Sequence, residues 1–387
     1  MSAADISNSV IYLDNAATTP CDPRVVEAMR PYWMGNFGNP SSPHIMGQLA
    51  HQVIEDSRNV ILTTLNGAGD FLFTSGSTES NNLGIYSLLK HVKEMLGKRK
   101  VLCLSTEHKS VLNAVIYFGS AMTMTVEFIP VLKNGLIDMN WFKTAIDSTV
   151  GAVVVQLANS ETGVIQDLNS ISKIAHKFGA KCFSDITQVI GKAKVDLATL
   201  GADYVSFTAH KFYGPKGVGA LYVASGSQIS PLIFGGGQEK GRRPGTENVP
   251  GIVGLTEALK ISVDELEENS VHIGKLRESL WKSLKKVGYI YWNGMQAPLL
   301  PSHLNVTISA VNAQDLMLRV RNVAFSAGSA CNTTNNLPSP VLLAMGKTHA
   351  EAEQTIRLSI GKFNTQEDID KVSRILDKTI RSIRMEK

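Results

Sequence analysis

Cysteine is scarce in this chain. There are four in 387 residues, Cys21, Cys103, Cys182 and Cys331, and no two are close in sequence. Without a CxxC pair, neither a disulfide framework nor a thiolate zinc site is expected, and we expect no metal. A reducing, cytoplasmic compartment fits this usage best. Long hydrophobic runs are missing too. No stretch reaches the roughly 18 uninterrupted apolar residues of a membrane helix, so no membrane partner is expected. Met1 to Ser9 has no basic segment followed by an apolar one and does not read as a secretory signal. Charge of one sign is weak. The formal net charge is +4, and the most basic stretch, Lys90 to Lys100, reads as a solvated helix end. Direct nucleic-acid binding is therefore not expected. Low-complexity linkers and internal repeats are absent as well.

What is present is an ordinary globular mix, 43% hydrophobic and 19% charged, long enough for one large and one small domain. Short apolar runs at Phe71–Thr74, Lys100–Ser105, Val126–Pro130, Ala152–Leu157, Lys181–Ser184, Tyr204–Phe207 and Gly219–Val223 predict strands. Helical patterns lie between several of them, as at Asn81–Leu96 and Ile171–Phe178. Together these predict an α/β fold with a mainly parallel sheet of seven strands covered on both faces. Ligands on such sheets bind at the carboxyl ends of strands. Ser75, His108, Asn159, Asp185 and Lys211 each follow one of these runs closely. Beyond Asn248 the pattern predicts one long helix, Ile252–Leu284, leading into a smaller part, and an amphipathic helix over Gln366–Met385.

Lys211 is the most informative residue. The run Asp203–Thr208 leads through Ala209-His-Lys211 into a Gly/Pro turn. Desolvation at the end of a buried strand favours the neutral amine, and a neutral lysine amine condenses with an aldehyde, above all that of pyridoxal phosphate. That cofactor needs a phosphate cradle. Ser75-Gly-Ser-Thr78, which opens a helix after a strand, offers backbone N–H groups and a helix dipole; by itself it reads more readily as an ordinary N-cap. Asp185 would keep a pyridine nitrogen protonated, or simply cap a helix. His108 would stack on a flat ring, or be a surface histidine in a turn. Arg357, on the alternating run Thr355–Ile360, would clamp a carboxylate through two hydrogen bonds, or sit on a strand surface. Cys331 lies in a small, polar stretch, Ser326–Asn336, which predicts an exposed thiol able to ionise and attack. Cys21, Cys103 and Cys182 read as core residues.

Tyr12-Leu-Asp-Asn-Ala-Ala-Thr-Thr-Pro20, Gly38-Asn-Pro-Ser-Ser42, Phe73–Asn82, Thr106-Glu-His108, Ser206–Gly217 and Gly235–Glu247 resemble the NifS/IscS-type cysteine desulfurases from Tyr12 onward. These are class V, fold-type I pyridoxal-phosphate enzymes. Ser329-Ala-Cys331 is similar to the branch with the longer catalytic loop. The resemblance implies a large domain over residues 15–255 and a small α+β domain from 1–14 and 256–387. It implies that Lys211 bonds to the cofactor aldehyde, that His108 stacks on the ring, that Asp185 pairs with its nitrogen and that Gln188 bonds its hydroxyl. Ser77, Thr78, Thr208 and His210 would hold the phosphate, with Thr246 reaching it from a second subunit of a homodimer. Arg357 would bind the carboxylate of L-cysteine, and Cys331 would take its sulfur as a persulfide for a protein acceptor in iron–sulfur assembly, tRNA thiolation or DNA phosphorothioation. The family reads Asn-Asn-Glu where this chain reads Asn159-Ser160-Glu161. Either Ser160 serves with a shorter reach, or Asn159 shifts to compensate. A selenocysteine lyase, a transaminase of the same fold and a sulfur-relay scaffold without turnover are the competing expectations.

Overall fold

The structure, a computed structural model, describes residues 10–327 and 338–386. The strands are β1 (Ile11–Tyr12), β2 (Asp70–Thr74), β3 (Lys100–Leu104), β4 (Thr125–Ile129), β5 (Val150–Val154), β6 (Lys181–Asp185), β7 (Tyr204–Thr208), β8 (Gly219–Val223), β9 (Ile290–Trp292), β10 (His303–Ile308), β11 (Val323–Ala324), β12 (Ser326–Ala327) and β13 (Thr355–Ser359). The helices used below are α1 (Ile45–Thr64), α2 (Ser77–Met95), α3 (Lys109–Ala121), α4 (Leu168–Lys177), α5 (Val249–Asp264), α6 (Leu266–Val287), α7 (Pro340–Ala344) and α8 (Gln366–Met385).

Seven strands form one sheet in the order β2-β8-β7-β6-β5-β3-β4. Only β8 runs against the rest, antiparallel to both β2 and β7. The carboxyl ends of β2, β3, β5, β6 and β7 therefore share one edge. Successive side chains of a strand face opposite sides, and the two cores divide accordingly. Phe71, Phe73, Leu102 and Leu104 join one apolar cluster. Leu72, Val101 and Cys103, the alternate residues, join the other with Phe183, Tyr204 and Leu221. Helix α2 lies close on that second face, where a Cβ at Gly84 would come within 2.7 Å of the Phe183 ring.

A second sheet, β12-β13-β10-β9, packs against α6 and α8 around its own apolar cluster, including Leu13, Leu280, Leu304, Val306, Leu358 and Leu376. β1 and β11 pair separately. No helix among the described residues is long and apolar enough to cross a membrane.

Two expectations change. The single helix over Ile252–Leu284 is broken into α5 and α6 at Glu265 (φ −93°, ψ 7°). There the carboxylate binds Arg24 at 2.7 Å and Lys362 at 3.1 Å, contacts that hold the turn and that helical periodicity does not register. Cys21 is only half-buried, whereas Cys103 and Cys182 are core residues.

Lys362 also binds Asp22 at 2.6 Å, with both side chains almost fully enclosed. It thereby ties the segment after β13 to the N-terminal region and to the α5–α6 turn. Without Lys362, Asp22 and Glu265 keep Arg24 as a cationic partner, so one charged hydrogen bond to a buried carboxylate is lost. Lys362→Met is expected to lower unfolding stability by about 2 kcal/mol in urea titrations near pH 7. Hydrogen bonds from Arg24 and then Lys362 hold the Asp22 carboxyl well below the usual carboxylate range. That contribution is present above the unfolded value of about 4 and is lost as pH falls below it. The gap between variant and wild type should therefore narrow in acid.

Candidate active site

The shared strand edge is where the polar residues gather. β2 ends at Thr74, and the chain passes through Gly76 (φ +154°), a backbone conformation that glycine adopts without strain, into α2. No side chain caps α2, so its leading N–H groups and dipole face the space in front. That space is a cavity of about 340 Å³ lined by Ser75, Gly76, Ser77, Thr78, Thr208, His210 and Lys216 among others. Its acidic neighbour, Glu79, is committed to Arg243 at 2.7 Å and to the Ser75 N–H at 2.7 Å. The field in the cavity is thus set by the helix end and Lys216, and it suits an anion. Thr208 donates to the Val218 carbonyl at 2.8 Å, and His210 Nδ1 lies 3.1 Å from Thr18 Oγ1. Burial, then Lys211 and Lys216, push the His210 pKa down to about 4, so its imidazole is neutral.

Beside this cavity β7 runs into a single 3-10 turn, Ala209–Lys211. Lys211 Nζ donates to the carbonyls of Ala16 at 2.8 Å and Ala17 at 2.6 Å. Gln188 Nε2 donates to the same Ala16 carbonyl at 3.0 Å. Asp185, the last residue of β6, is buried and held at both oxygens. Oδ1 accepts from the Thr187 N–H and Oδ2 from Asn81 Nδ2, each at 2.9 Å. Capping a turn and offering a fixed carboxylate are here one and the same geometry. Asn81 also donates to Ser110 Oγ at 2.8 Å, and Ser110 Oγ lies 2.8 Å from His108 Nδ1. A chain of hydrogen bonds therefore joins the exposed His108 ring, which caps α3, to the buried Asp185. Behind His108, the fully buried Glu107 accepts the Gln156 N–H. Burial and the charge of Asp185 push its carboxyl well up.

Arg357 sits on β13, whose every residue is buried. It is not on an exposed face, because the segments carrying Asp14 and Ser160 lie against its side chain. Its guanidinium donates to Asp14 Oδ1 at 2.7 Å, Ser326 Oγ at 3.1 Å and the Ser160 carbonyl at 3.0 Å, and its Nε has no partner among the described residues. The Asn159 amide is taken up by its own turn. Nδ2 donates to Thr106 O at 3.1 Å, while Oδ1 accepts from the backbones of Glu161 and Thr162 at 2.9 Å. Of the two positions weighed for this contact, Ser160 has the side chain that these bonds leave aside. Glu161 accepts from Ser339 Oγ at 2.5 Å, and burial lifts its carboxyl to about 7.

The fold thus brings Ser77, Thr78, Thr208, His210, Lys211, Gln188 and Asp185 to one sheet edge, with His108 linked to them through Asn81. Thr246 is exposed and is not among the residues lining the cavity. Cys331 lies outside the described residues. Asn81, Lys216, Asp14 and Glu161 were not singled out in the sequence. Asn81 had one signal: an asparagine on the helix face that otherwise carries Leu88 and Leu89, fully buried. His176, Cys182 and Asp203 come together below the sheet, where His176 and Lys181 already satisfy Asp203 at 3.0 Å and 2.7 Å.

The residues present fit pyridoxal phosphate: an uncapped helix end with Lys216 at an anion-sized cavity, an amine at a strand end, and a fixed buried carboxylate on the neighbouring strand. Comparison with known proteins agrees. The Aminotransferase class-V family matches residues 11–372. A protein named Cysteine desulfurase IscS 1, from Archaeoglobus fulgidus, is 41% identical over 377 residues, spanning 96% of this chain and 97% of that protein. A solved NifS-like protein superposes with a TM-score of 0.88 at 35% identity, over 96% of this chain and 99% of that one. A structure described as SspA in complex with cysteine superposes at 0.80 with 33% identity, over 92% and 100%. The chain belongs to the class V aminotransferase family and, within it, to the cysteine desulfurases.

Proposed function

We propose that this protein converts L-cysteine and its own Cys331 thiol into L-alanine and a Cys331 persulfide, using pyridoxal phosphate. The balance is complete: the substrate carbon–sulfur bond breaks, a sulfur–sulfur bond forms, and the proton count is conserved. The observation that carries the reading is the convergence of the Lys211 amine, the Asp185 carboxylate and the α2 terminus on one edge of the large sheet. When bound, the cofactor supplies an aldehyde that condenses with amines and a ring that withdraws electrons from the substrate.

The chain's own groups do the rest. Ser77, Thr78, Thr208, His210 and Lys216 would hold the phosphate, with the α2 dipole adding attraction. Asp185, fixed by Thr187 and Asn81, would hold a proton on the ring nitrogen. Lys211 Nζ would hold the aldehyde carbon and carry a proton to and from the substrate. His108 is oriented at Nδ1 by Ser110, which leaves Nε2 as the ring atom that exchanges a proton with the substrate. Arg357, with Ser160 beside it, would fix the substrate carboxylate.

Residues 15–255 form the large domain in this reading, and 1–14 with 256–387 the small one. A second copy completes the site by bringing Thr246 to the phosphate. Its docking face is supported by Trp33, Met34, Phe37 and Phe234, exposed by 64–84%, on segments joined through Gln238 and Ser41. A reducing cytoplasm and a protein sulfur acceptor belong to the same reading, which the absence of any closely spaced cysteine pair supports.

Alanine and persulfide formation from L-cysteine by the reconstituted protein is the direct test. Arg357→Leu is expected to raise the cysteine KM about 30-fold, in line with the 1.5–3 kcal/mol of a charged hydrogen bond. Product formation from cysteine with unchanged KM in that variant would remove Arg357 from the site, and no alanine from the wild type would refute the function.

A further inference from the structure

Lys192 is a buried lysine that no part of this mechanism uses. Its side chain is enclosed, and its Nζ donates to Gln188 Oε1 at 3.2 Å. Among the described residues no carboxylate lies within ion-pairing distance of it. The charged and titratable groups coupled to it are Lys211, Arg357, His303 and His210, none of them acidic. A buried ammonium is ordinarily paired with an acid. Here the amide of Gln188 is its partner, and the other end of that amide donates to the Ala16 carbonyl that also accepts from Lys211.

We infer that Lys192 is a positioning residue of the cofactor site, holding the Gln188 amide in one orientation and placing a positive charge beside Lys211. The inference rests on the reading of Lys211 as the residue that bonds the cofactor. The amide's two ends are chemically distinct. With Lys192 donating to Oε1, only the NH2 end is left to face Ala16 and a ring hydroxyl. The charge acts separately. Repulsion between two ammonium groups is mutual, so a charged Lys192 makes protonation of Lys211 harder and leaves more of its amine able to attack an aldehyde. Burial, then the charges of Lys211 and Arg357, bring Lys192 down to about 7. It is charged below that pH and neutral above it.

The experiment follows the rate at which added pyridoxal phosphate restores the visible absorption of the apoprotein, as a function of pH. Lys192→Arg is permanently charged and Lys192→Met never is. Their profiles should be displaced by about one pH unit, a tenfold difference in amine proton affinity, with the arginine variant reacting at lower pH. Wild type should follow the arginine variant below about pH 6 and approach the methionine variant above about pH 8. Lys192→Gln is neutral yet still donates to Gln188. It should share the methionine profile while retaining cofactor through dialysis like wild type, and it replaces the methionine variant if that one does not fold. Coincident profiles for the charged and neutral variants would overturn the electrostatic role. Equal loss of retention in Lys192→Gln and Lys192→Met would overturn the positioning role. A wild type that gains no absorption at any pH would instead refute the assignment of Lys211, so the two failures are distinguishable.

Discussion

Lys211→Ala protein should be colourless after reconstitution with pyridoxal phosphate and dialysis, and its turnover of cysteine should fall by at least about a thousandfold. The substitution removes the only group we assign both to holding the aldehyde carbon and to moving the substrate proton. Effects of this size are usual when one residue serves as nucleophile and base. Misfolding is a separate matter. Lys211 Nζ donates to two carbonyls of the Ala16–Ala17 segment; Gln188 still serves that of Ala16 in the variant, and the loss at Ala17 costs about 1–3 kcal/mol. Lys211→Arg is the control. A guanidinium can still donate to those carbonyls but does not condense with an aldehyde under these conditions, so it should be folded and equally inactive. A yellow Lys211→Ala protein whose absorption survives dialysis would sink the assignment.

Cys331→Ser should behave in the opposite way. Colour and cysteine binding are expected to be retained, because the residues assigned to the cofactor and to the substrate carboxylate are untouched by this substitution. Persulfide on the protein should be undetectable, and sulfur release with a thiol acceptor should drop about a hundredfold or more. A thiol forms a reactive thiolate near neutral pH, whereas a serine hydroxyl does not ionise there. The other three cysteines do not compensate. Burial pushes the thiols of Cys103 and Cys182 well above their ordinary value, and Cys21, half-buried beside Asp22, is also raised. Persulfide located by mass spectrometry on any of those three, or normal sulfur release by Cys331→Ser, would remove Cys331 from the mechanism.

Much of this architecture was legible in the residues. The seven runs of apolar residues became the seven strands of the large sheet, with ends displaced by at most a few residues. Such runs have few alternatives when both faces are covered by helices. The helix over Gln366–Met385 was found at those limits, since a helix with one buried face repeats its apolar residues at helical spacing. Lys211, Asp185 and Ser75–Thr78 were visible because each ends a strand run, and loops at that edge carry function in such sheets. The break at Glu265 was not visible. It depends on Arg24 and Lys362, residues 241 and 97 positions away in sequence. The role of Asn159 was equally hidden, because its amide is consumed by partners that only the folded turn brings near.

The chain alone therefore determined which residues are candidates for the chemistry and that they follow strands, because burial periodicity and residue type are properties of short segments. Tertiary structure decided their partners. It set Asn81 between His108 and Asp185, enclosed Arg357 against the segments carrying Asp14 and Ser160, left the Ser160 side chain outside the bonds that take up Asn159, and bonded to Gln188 a buried lysine with no carboxylate partner among the described residues. Those outcomes depend on strand order and on desolvation, which arise only when distant segments pack.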